Sequence, residues 1–408
     1  MIWIIAWKNI WRNKVRSLVI ILAITLGLFG GVFSSAVMKG MVEQRIKEAV
    51  SRETAHIQIH NPKYIDNNEV QYTIDGEAQN LEQTLDSLPE VKGWSSRIKF
   101  QAMANSANAG TGVMIYGIDP EKERQVTEIS AMICDSCGTY LNGEKKNQIV
   151  VGEALAEKLK VRLRSKIVLT FQDQEGTLTG AAFRICGIYR TSNSVFDEMN
   201  VFVRKTDIAS LLIMNAQEYQ ELVVRLSEPD QVTDVQEELT DGFPELLVRN
   251  WKEIDPMIGM MADLTAVWLY MFMAIILLAL GFGIINTMLM TILERTRELG
   301  MLAAIGMNKH RIFLMIMLES VYLSLTGAIV GMALGYFLTL YTSYTGINLS
   351  SFAEGFEKIG YNPIMYPYLD LNFFITLTIM VICIGILASI YPARKALKLN
   401  PAEAVRSE

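Results

Sequence analysis

Long apolar runs and short alternating ones divide this chain into two kinds of territory. Four runs are long enough to cross a bilayer core of ~30 Å at ~1.5 Å per helical residue. They are Ser17–Met38, Leu264–Leu293, Ser320–Ala353 and Leu371–Ala393. Between the first two, the apolar residues follow strand and helix periods instead. Alternation predicts strands at Thr54–His60, Val91–Phe100, Glu218–Leu226 and Glu245–Trp251, with helices over Asn80–Leu88 and Pro229–Leu239. The two resulting strand–helix–strand halves share wording: Leu85 to Val91 followed by Trp94, against Leu239 through Pro244-Glu245-Leu246 followed by Trp251. That is a weak internal repeat. The stretch between the halves, about 101–217, reads as an inserted β-rich subdomain. Its strongest segment is Ile149–Glu153, a helix to Lys160, then strands Lys166–Gln172, Ala182–Arg190 and Met199–Arg204. The expected fold class is an α-helical membrane protein with four transmembrane helices and an α+β extracytoplasmic domain.

Composition agrees with a membrane protein: 51% of the 408 residues are hydrophobic, and only 20% are charged. The segment from Gly40 to Asp263 carries 35 of the 43 acids and 23 of the 37 bases, a balance of −12 against +6 for the rest. A soluble, acidic domain is therefore bracketed by membrane, and nucleic acid is an unsuitable partner. Lys8, Arg12, Lys14 and Arg16 precede the first run, Arg295, Arg297, Lys309 and Arg311 follow the second, and Arg394, Lys395, Lys398 and Arg406 follow the fourth. Flanking bases are retained on the cytoplasmic side, so both termini are expected inside. The predicted division is a cytoplasmic elbow helix 1–16, spans 17–39, 264–293, 312–340 and 371–393, an extracytoplasmic domain 40–263, a cytoplasmic helix 294–311, an outside loop 341–370 and a cytoplasmic tail 394–408. A cleaved signal peptide is the rival reading of the start, but 22 apolar residues exceed the ~7–15 of such a segment. Trp3, Trp7 and Trp11 stand on one helical face, as in a helix lying in the headgroup layer.

Small residues predict how the spans pack. Gly27 and Gly31 are four apart in the first span, and Gly327, Gly331 and Gly335 form a doubled ridge in the third. Glu319 is the one carboxylate within a span. Its carboxylate reaches the interface or a neighbouring helix terminus; a proton relay needs partners at depth, and no other span offers one. Sites for chemistry are scarce. Cys134 and Cys137 have C-x-x-C spacing, which suits a local disulfide or free thiols and cannot alone fill a zinc site. His56 and His60 share a strand face, open either to a metal or to a plain polar face. No G-x-x-x-x-G-K-S/T loop and no G-x-S-x-G nucleophile occur, so the chain is expected to be a non-enzymatic subunit without its own ATPase or cofactor.

The runs ERTRELGMLAAIGMNKHRIF at 294–313 and YPARKALKLNPAEAVR at 391–406 resemble the permease subunits of ABC systems of the MacB/FtsX superfamily. The matching elements are Thr296–Gly300, Ala304–Gly306, the glycine-rich third span and Tyr391–Ala404. Span order, the large domain after the first span and the length look most like the lipoprotein-releasing Lol permeases. Two departures stand out. The family usually has Gly-Asp where this chain has Arg164-Ser165, and Gln172–Ala182 is too short for the projecting hairpin with which one Lol permease grips its carrier.

The resemblance implies that Arg295–Asn308 is a coupling helix facing a cytoplasmic ABC ATPase, which would hold the ATP and magnesium. Its candidate residues are Arg295, Thr296, Arg297, Glu298, Leu299, Gly300, Leu302, Ile305 and Gly306, with Leu299, Leu302 and Ile305 at helical spacing on one apolar side. A solvated loop helix is the plainer alternative. Other implied partners are a second permease copy or paralogue, a lipid-anchored substrate protein and, less directly, a periplasmic carrier. Phe33, Val37, Met38 and Met41 of the first span and Leu264, Val267, Trp268 and Met271 of the second are candidates to line a lipid-facing cavity, and ordinary helix packing explains them as well. Efflux of a small molecule or peptide, or FtsX-like signalling to a cell-wall hydrolase, are the competing functions; FtsX-like permeases have a much smaller outside domain. The location expected is a bacterial inner membrane.

Overall fold

A computed structural model describes residues 2–12, 14–67, 69–74, 78–142, 145–215 and 217–397. The chain forms two compact units: Met1–Val42, Asp263–Ile347 and Met365–Glu408 make a helical unit, while Glu43–Ala262 and Asn348–Ile364 make an α+β unit.

Among the described residues, four helices are long and apolar enough to cross a membrane: Lys14–Thr54, Pro256–Glu294, Lys309–Thr345 and Leu371–Leu397. They are called the first to fourth spans here. The first does not stop near Lys39, where its hydropathy falls, because the single glycine that follows, Gly40, is succeeded by good helix formers through Ala49. Lys14, Arg16 and Ser17 already belong to this helix. Before it lies the elbow helix Ile2–Arg12, with Ala6 and Ile10 buried among the spans and Trp3, Trp7 and Trp11 exposed. The expected outside loop 341–370 is more structured than the hydropathy suggests. The third span runs to Thr345, a short helix covers Ala353–Lys358, and 348–364 belong to the α+β unit. The tail beyond Leu397, including much of the Tyr391–Ala404 run, lies outside the described residues.

Glycine sets the spacing of the spans. A Cβ at Gly327 would lie 2.8 Å from the Ile24 Cβ, and one at Gly331 would lie 2.7 Å from the Thr25 carbonyl oxygen. A Cβ at Gly335 would meet the Val32 side chain at 2.8 Å, so the third span lies on the first along the whole ridge. Thr25 Oγ1 donates to the Gly327 carbonyl at 3.1 Å across the same contact. Gly27 and Gly31 face the second span instead, against Leu280, Ile276 and Met273. The fourth span joins the third where Ser320 Oγ donates to the Gly385 carbonyl.

The α+β unit is built on one ten-stranded sheet. Its strands are β1 (Ile57–His60), β2 (Val91–Asn105), β3 (Gly110–Ile118), β4 (Ile133–Gly138), β5 (Gln148–Gly152), β6 (Lys166–Gln172), β7 (Leu178–Tyr189), β8 (Asn200–Arg204), β9 (Glu221–Leu226) and β10 (Leu247–Asn250). The order is β10-β1-β9-β2-β3-β8-β5-β7-β4, with β6 pairing β2 and β7. The two strand–helix–strand halves interleave at one end: β1 lies between β10 and β9, and β9 pairs β2. Helices Ala78–Ser87 and Val232–Gly242 cover them over a core that includes Ile57, Leu81, Trp94, Val224 and Leu239. The inserted part has a separate core around Phe100, Ile115, Leu155, Phe183 and Val201. The expected boundary near residue 101 is not a break in the chain, because β2 crosses it as one 15-residue strand serving both cores. The alternation Ile98, Phe100, Ala102, Ala104 runs straight past that boundary.

Candidate functional site

The second span ends at Glu294, and after one residue, Arg295, the helix Thr296–Ala304 begins. At this junction the Thr296 hydroxyl lies within hydrogen-bond reach of the Ile292 and Leu293 carbonyls of the last turn, at 3.1 and 2.8 Å. The helix ends in a left-handed residue, Gly306 at φ 95°, where Met307 N–H bonds back to the Leu302 carbonyl. Asn308 then caps the third span through His310 N–H. The sequence therefore folds a short helix between two spans with a stop at each end.

Its faces differ from the expected ones. Leu299 is buried and Leu302 half-buried against the core of the spans, and Gly300 is buried with them. Ile305 lies past the helix end and is 85% exposed. Leu299, Leu302 and Ile305 thus do not form one free apolar side. The exposed stripe is Arg297, Met301 and Ile305, at steps of four. The expected repeat left open which side the spans would take, and its last member falls beyond the helix end.

Ion pairs fasten this helix. Arg295 Nη1 donates to both carboxylate oxygens of Glu319 on the third span, at 3.0 and 3.1 Å, and its Nε donates to Glu298 at 3.1 Å. Glu298 is also paired with Arg12 of the elbow helix, and Arg16 of the first span with Glu294. Partial burial works to raise the Glu298 carboxyl, but hydrogen bonds from Arg12 and Arg295 outweigh it and hold it below the usual carboxylate range. Glu319 is 4% exposed and finds its partner at the end of a neighbouring helix. Arg12 and Arg16, read in the sequence only as topology signals, are structural partners here.

The other candidates lie apart from this junction. Met38 is exposed and Phe33, Val37 and Met41 are half-buried, while Leu264, Val267, Trp268 and Met271 form an exposed stripe on the second span. Cys134 and Cys137 are joined in a disulfide across the irregular stretch of β4. His56 Nδ1 accepts the Leu226 N–H at 2.9 Å, and His60 Nε2 faces Gln58 Oε1 at 3.1 Å, so both buried imidazoles are engaged within the fold. The family glycine's replacement, Arg164, takes φ 69°, the left-handed conformation that glycine adopts without strain. The β6–β7 hairpin closes through Asp173–Thr177, with Asp173 accepting from Glu175 and Thr177 N–H groups. Beside it a cavity of about 880 Å³ is lined by Phe100, Met103, Met114, Phe171 and Leu178.

One buried cluster escaped the sequence reading. Arg97 pairs with Glu123 at 2.6 Å and Glu221 at 2.9 Å, and Lys99 pairs with Glu221 at 2.7 Å, where the two cores of the sheet meet. Burial would raise the Glu221 carboxyl, but Lys99 and Arg97 hold it down at about 2. Arg97 and Lys99 fall on the polar phase of the β2 alternation, so no local signal in the sequence marks their burial.

Comparison with known proteins fits this anatomy. Residues 17–241 match the MacB-like periplasmic core domain, and residues 270–401 match the FtsX-like permease C-terminal family. The chain belongs to the MacB/FtsX/Lol superfamily of ABC transporter permeases. The permease is 22% identical over 353 residues to the lipoprotein-releasing system transmembrane protein LolE of Haemophilus influenzae, covering 81% of this chain and 80% of that one. It is 27% identical over 304 residues to an uncharacterized ABC transporter permease of Methanocaldococcus jannaschii, covering 72% and 71%. Among solved structures, the periplasmic region of MacB from Actinobacillus actinomycetemcomitans aligns with 53% of this permease and 98% of its own length, at 13% identity and a TM-score of 0.35.

Proposed function

We propose that this permease extracts lipid-anchored proteins from the outer leaflet of a bacterial inner membrane, driven by ATP hydrolysed on a separate cytoplasmic ABC ATPase. Both termini and the coupling helix face the cytoplasm in this reading, and the α+β unit is periplasmic. The working assembly contains a second copy or a paralogue. The observation that carries the reading is the exposed apolar stripe Leu264, Val267, Trp268 and Met271 at the N-terminal end of the second span. An acyl chain leaving the bilayer needs a continuous apolar path, because each CH₂ exposed to water costs about 0.8 kcal/mol. Methionine and tryptophan suit such a path, the first by its flexibility and the second by its interfacial amphipathy. Similarity to LolE along four-fifths of both chains supports the same substrate class.

The driving step falls to the coupling helix. Movement of an ATPase under Arg297, Met301 and Ile305 is passed to the spans, which close the lateral entry and push the anchor toward the α+β unit. A photocrosslinker at Val267 or Met271 is expected to capture lipoprotein, and one at Ile379, exposed on the fourth span, is not. ATP with the ATPase subunit is expected to lower the yield. Equal capture at all positions, or capture of a water-soluble compound instead, would replace this reading with efflux, the function that the name of the macrolide exporter MacB carries among the relatives.

A further inference from the structure

We infer that the Arg295–Glu319 pair is the link through which movement of the coupling helix enters the spans, with Glu319 a positioning residue that touches no substrate. The inference rests on the reading of this chain as a permease driven by a separate ATPase. Arg295 is the single residue between the second span and the coupling helix, so any rotation of that helix turns about it. Its guanidinium holds Glu298 of the coupling helix with Nε and Glu319 of the third span with Nη1. One side chain thus addresses both bodies.

The two ends of that link differ in how easily they open. Glu298 is 40% exposed at its side chain and Arg12 49%, so water and salt screen their contact. Glu319 and Arg295 are 6% and 11% exposed, and pulling them apart would leave an unpaired charge in apolar surroundings. The outer contacts therefore give way during a stroke while the inner pair stays closed and travels with the helix.

What lies beyond Glu319 is stiff. Ser320, the next residue, is bonded to the Gly385 carbonyl of the fourth span. Eight residues on, about 12 Å along the helix axis, Gly327 opens the ridge that seats directly on the first span. A displacement of Glu319 reaches both neighbouring spans through one short hydroxyl and a glycine seated against Ile24, without long flexible side chains between.

The test uses the full permease with its ABC ATPase in lipid nanodiscs, reading ATP hydrolysis together with ATP-dependent hydrogen exchange in residues 43–262. Wild type is expected to show both, and absence of both in wild type would defeat the permease reading itself. Glu319→Gln is expected to keep hydrolysis within about twofold while the exchange response falls about fivefold or more, the low end of typical coupling between sites, and Arg295→Gln is expected to lose the exchange response to the same extent. The reversed pair, Arg295→Glu with Glu319→Arg, is expected to restore the response, which a loss of packing alone would not. An unchanged response in both single variants overturns the inference. So does a reversed pair that restores nothing, or single variants that fail to assemble with the ATPase and are not rescued by the reversal.

Discussion

Arg12 of the elbow helix and Glu298 of the helix Thr296–Ala304, 286 positions apart in sequence, are joined by an ion pair. The contact closes the elbow over the start of the coupling helix, yet both side chains keep substantial access to water. Exposed pairs of this kind contribute less than about 1 kcal/mol. Arg12→Gln is therefore expected to leave thermal unfolding in detergent nearly unchanged. A large loss of stability would show that the pair carries more than a screened surface contact does.

The glycine ridge makes a sharper demand. The nearest atom to a new side chain at Gly331 is the Thr25 carbonyl oxygen, which belongs to a helix backbone and cannot swing aside. Gly331→Val is expected to force the first and third spans apart and to destabilise the helical unit by about 1–3 kcal/mol, the usual range for overpacking. Gly30→Val, where a Cβ meets nothing within 4 Å, is the control and is expected to be neutral. Thermal unfolding of the two variants side by side decides the matter.

Acid weakens the α+β unit through His56. Burial, assisted by Arg225 and Lys92, pushes its imidazole down from 6.5 to about 4, and its Nδ1 must stay unprotonated to accept from Leu226. Between those values the unfolded chain binds a proton that the folded one refuses, so the His56 contribution to stability falls as pH drops from 6.5 toward 4 and levels off below. Asp197, which burial raises to about 6, makes an opposing contribution. His60, lowered to about 4 chiefly by burial, adds to the same slope. Denaturant unfolding across this window is expected to show the loss, and His56→Gln, which keeps an acceptor for Leu226, is expected to flatten part of it. A profile as steep in the variant as in wild type would place the proton uptake elsewhere.

Arg164 stores strain that a single substitution removes. A side-chain-bearing residue in the left-handed region costs on the order of 1 kcal/mol or more. Arg164 takes that conformation while its N–H bonds to the Ile185 carbonyl at 3.0 Å. Arg164→Gly is expected to raise the unfolding midpoint, offset in part by the greater freedom of glycine in the unfolded chain. A lower midpoint would mean that the arginine side chain contributes contacts worth more than the strain.

The spans and the short helix after the second were legible because each rests on a local pattern: an apolar run of sufficient length, or a repeat at helical spacing. Lys166–Gln172 was legible for the same reason, with alternation bounded by turn residues. The ion pairs were not. Arg97 finds partners 26 and 124 positions away, and Arg16 reaches Glu294 across 278. No local window carries such pairings. The facing of Leu299 was lost for a related reason, since periodicity defines a stripe and leaves open what covers it.

The unbroken course of β2 limits how this architecture can be recombined. Its first residues pair with β9 and fill one core, while its later ones pair with β3 and β6 and fill the other. Chimeras that exchange the central portion between relatives at a loop on one side will still have to splice inside a strand on the other. The donor must then keep a carboxylate at Glu123, or Arg97 is left buried with only one of its two partners, Glu221. Diversification of the central portion is thereby steered toward its hairpins and outer strands, where sequence can change without reopening the seam.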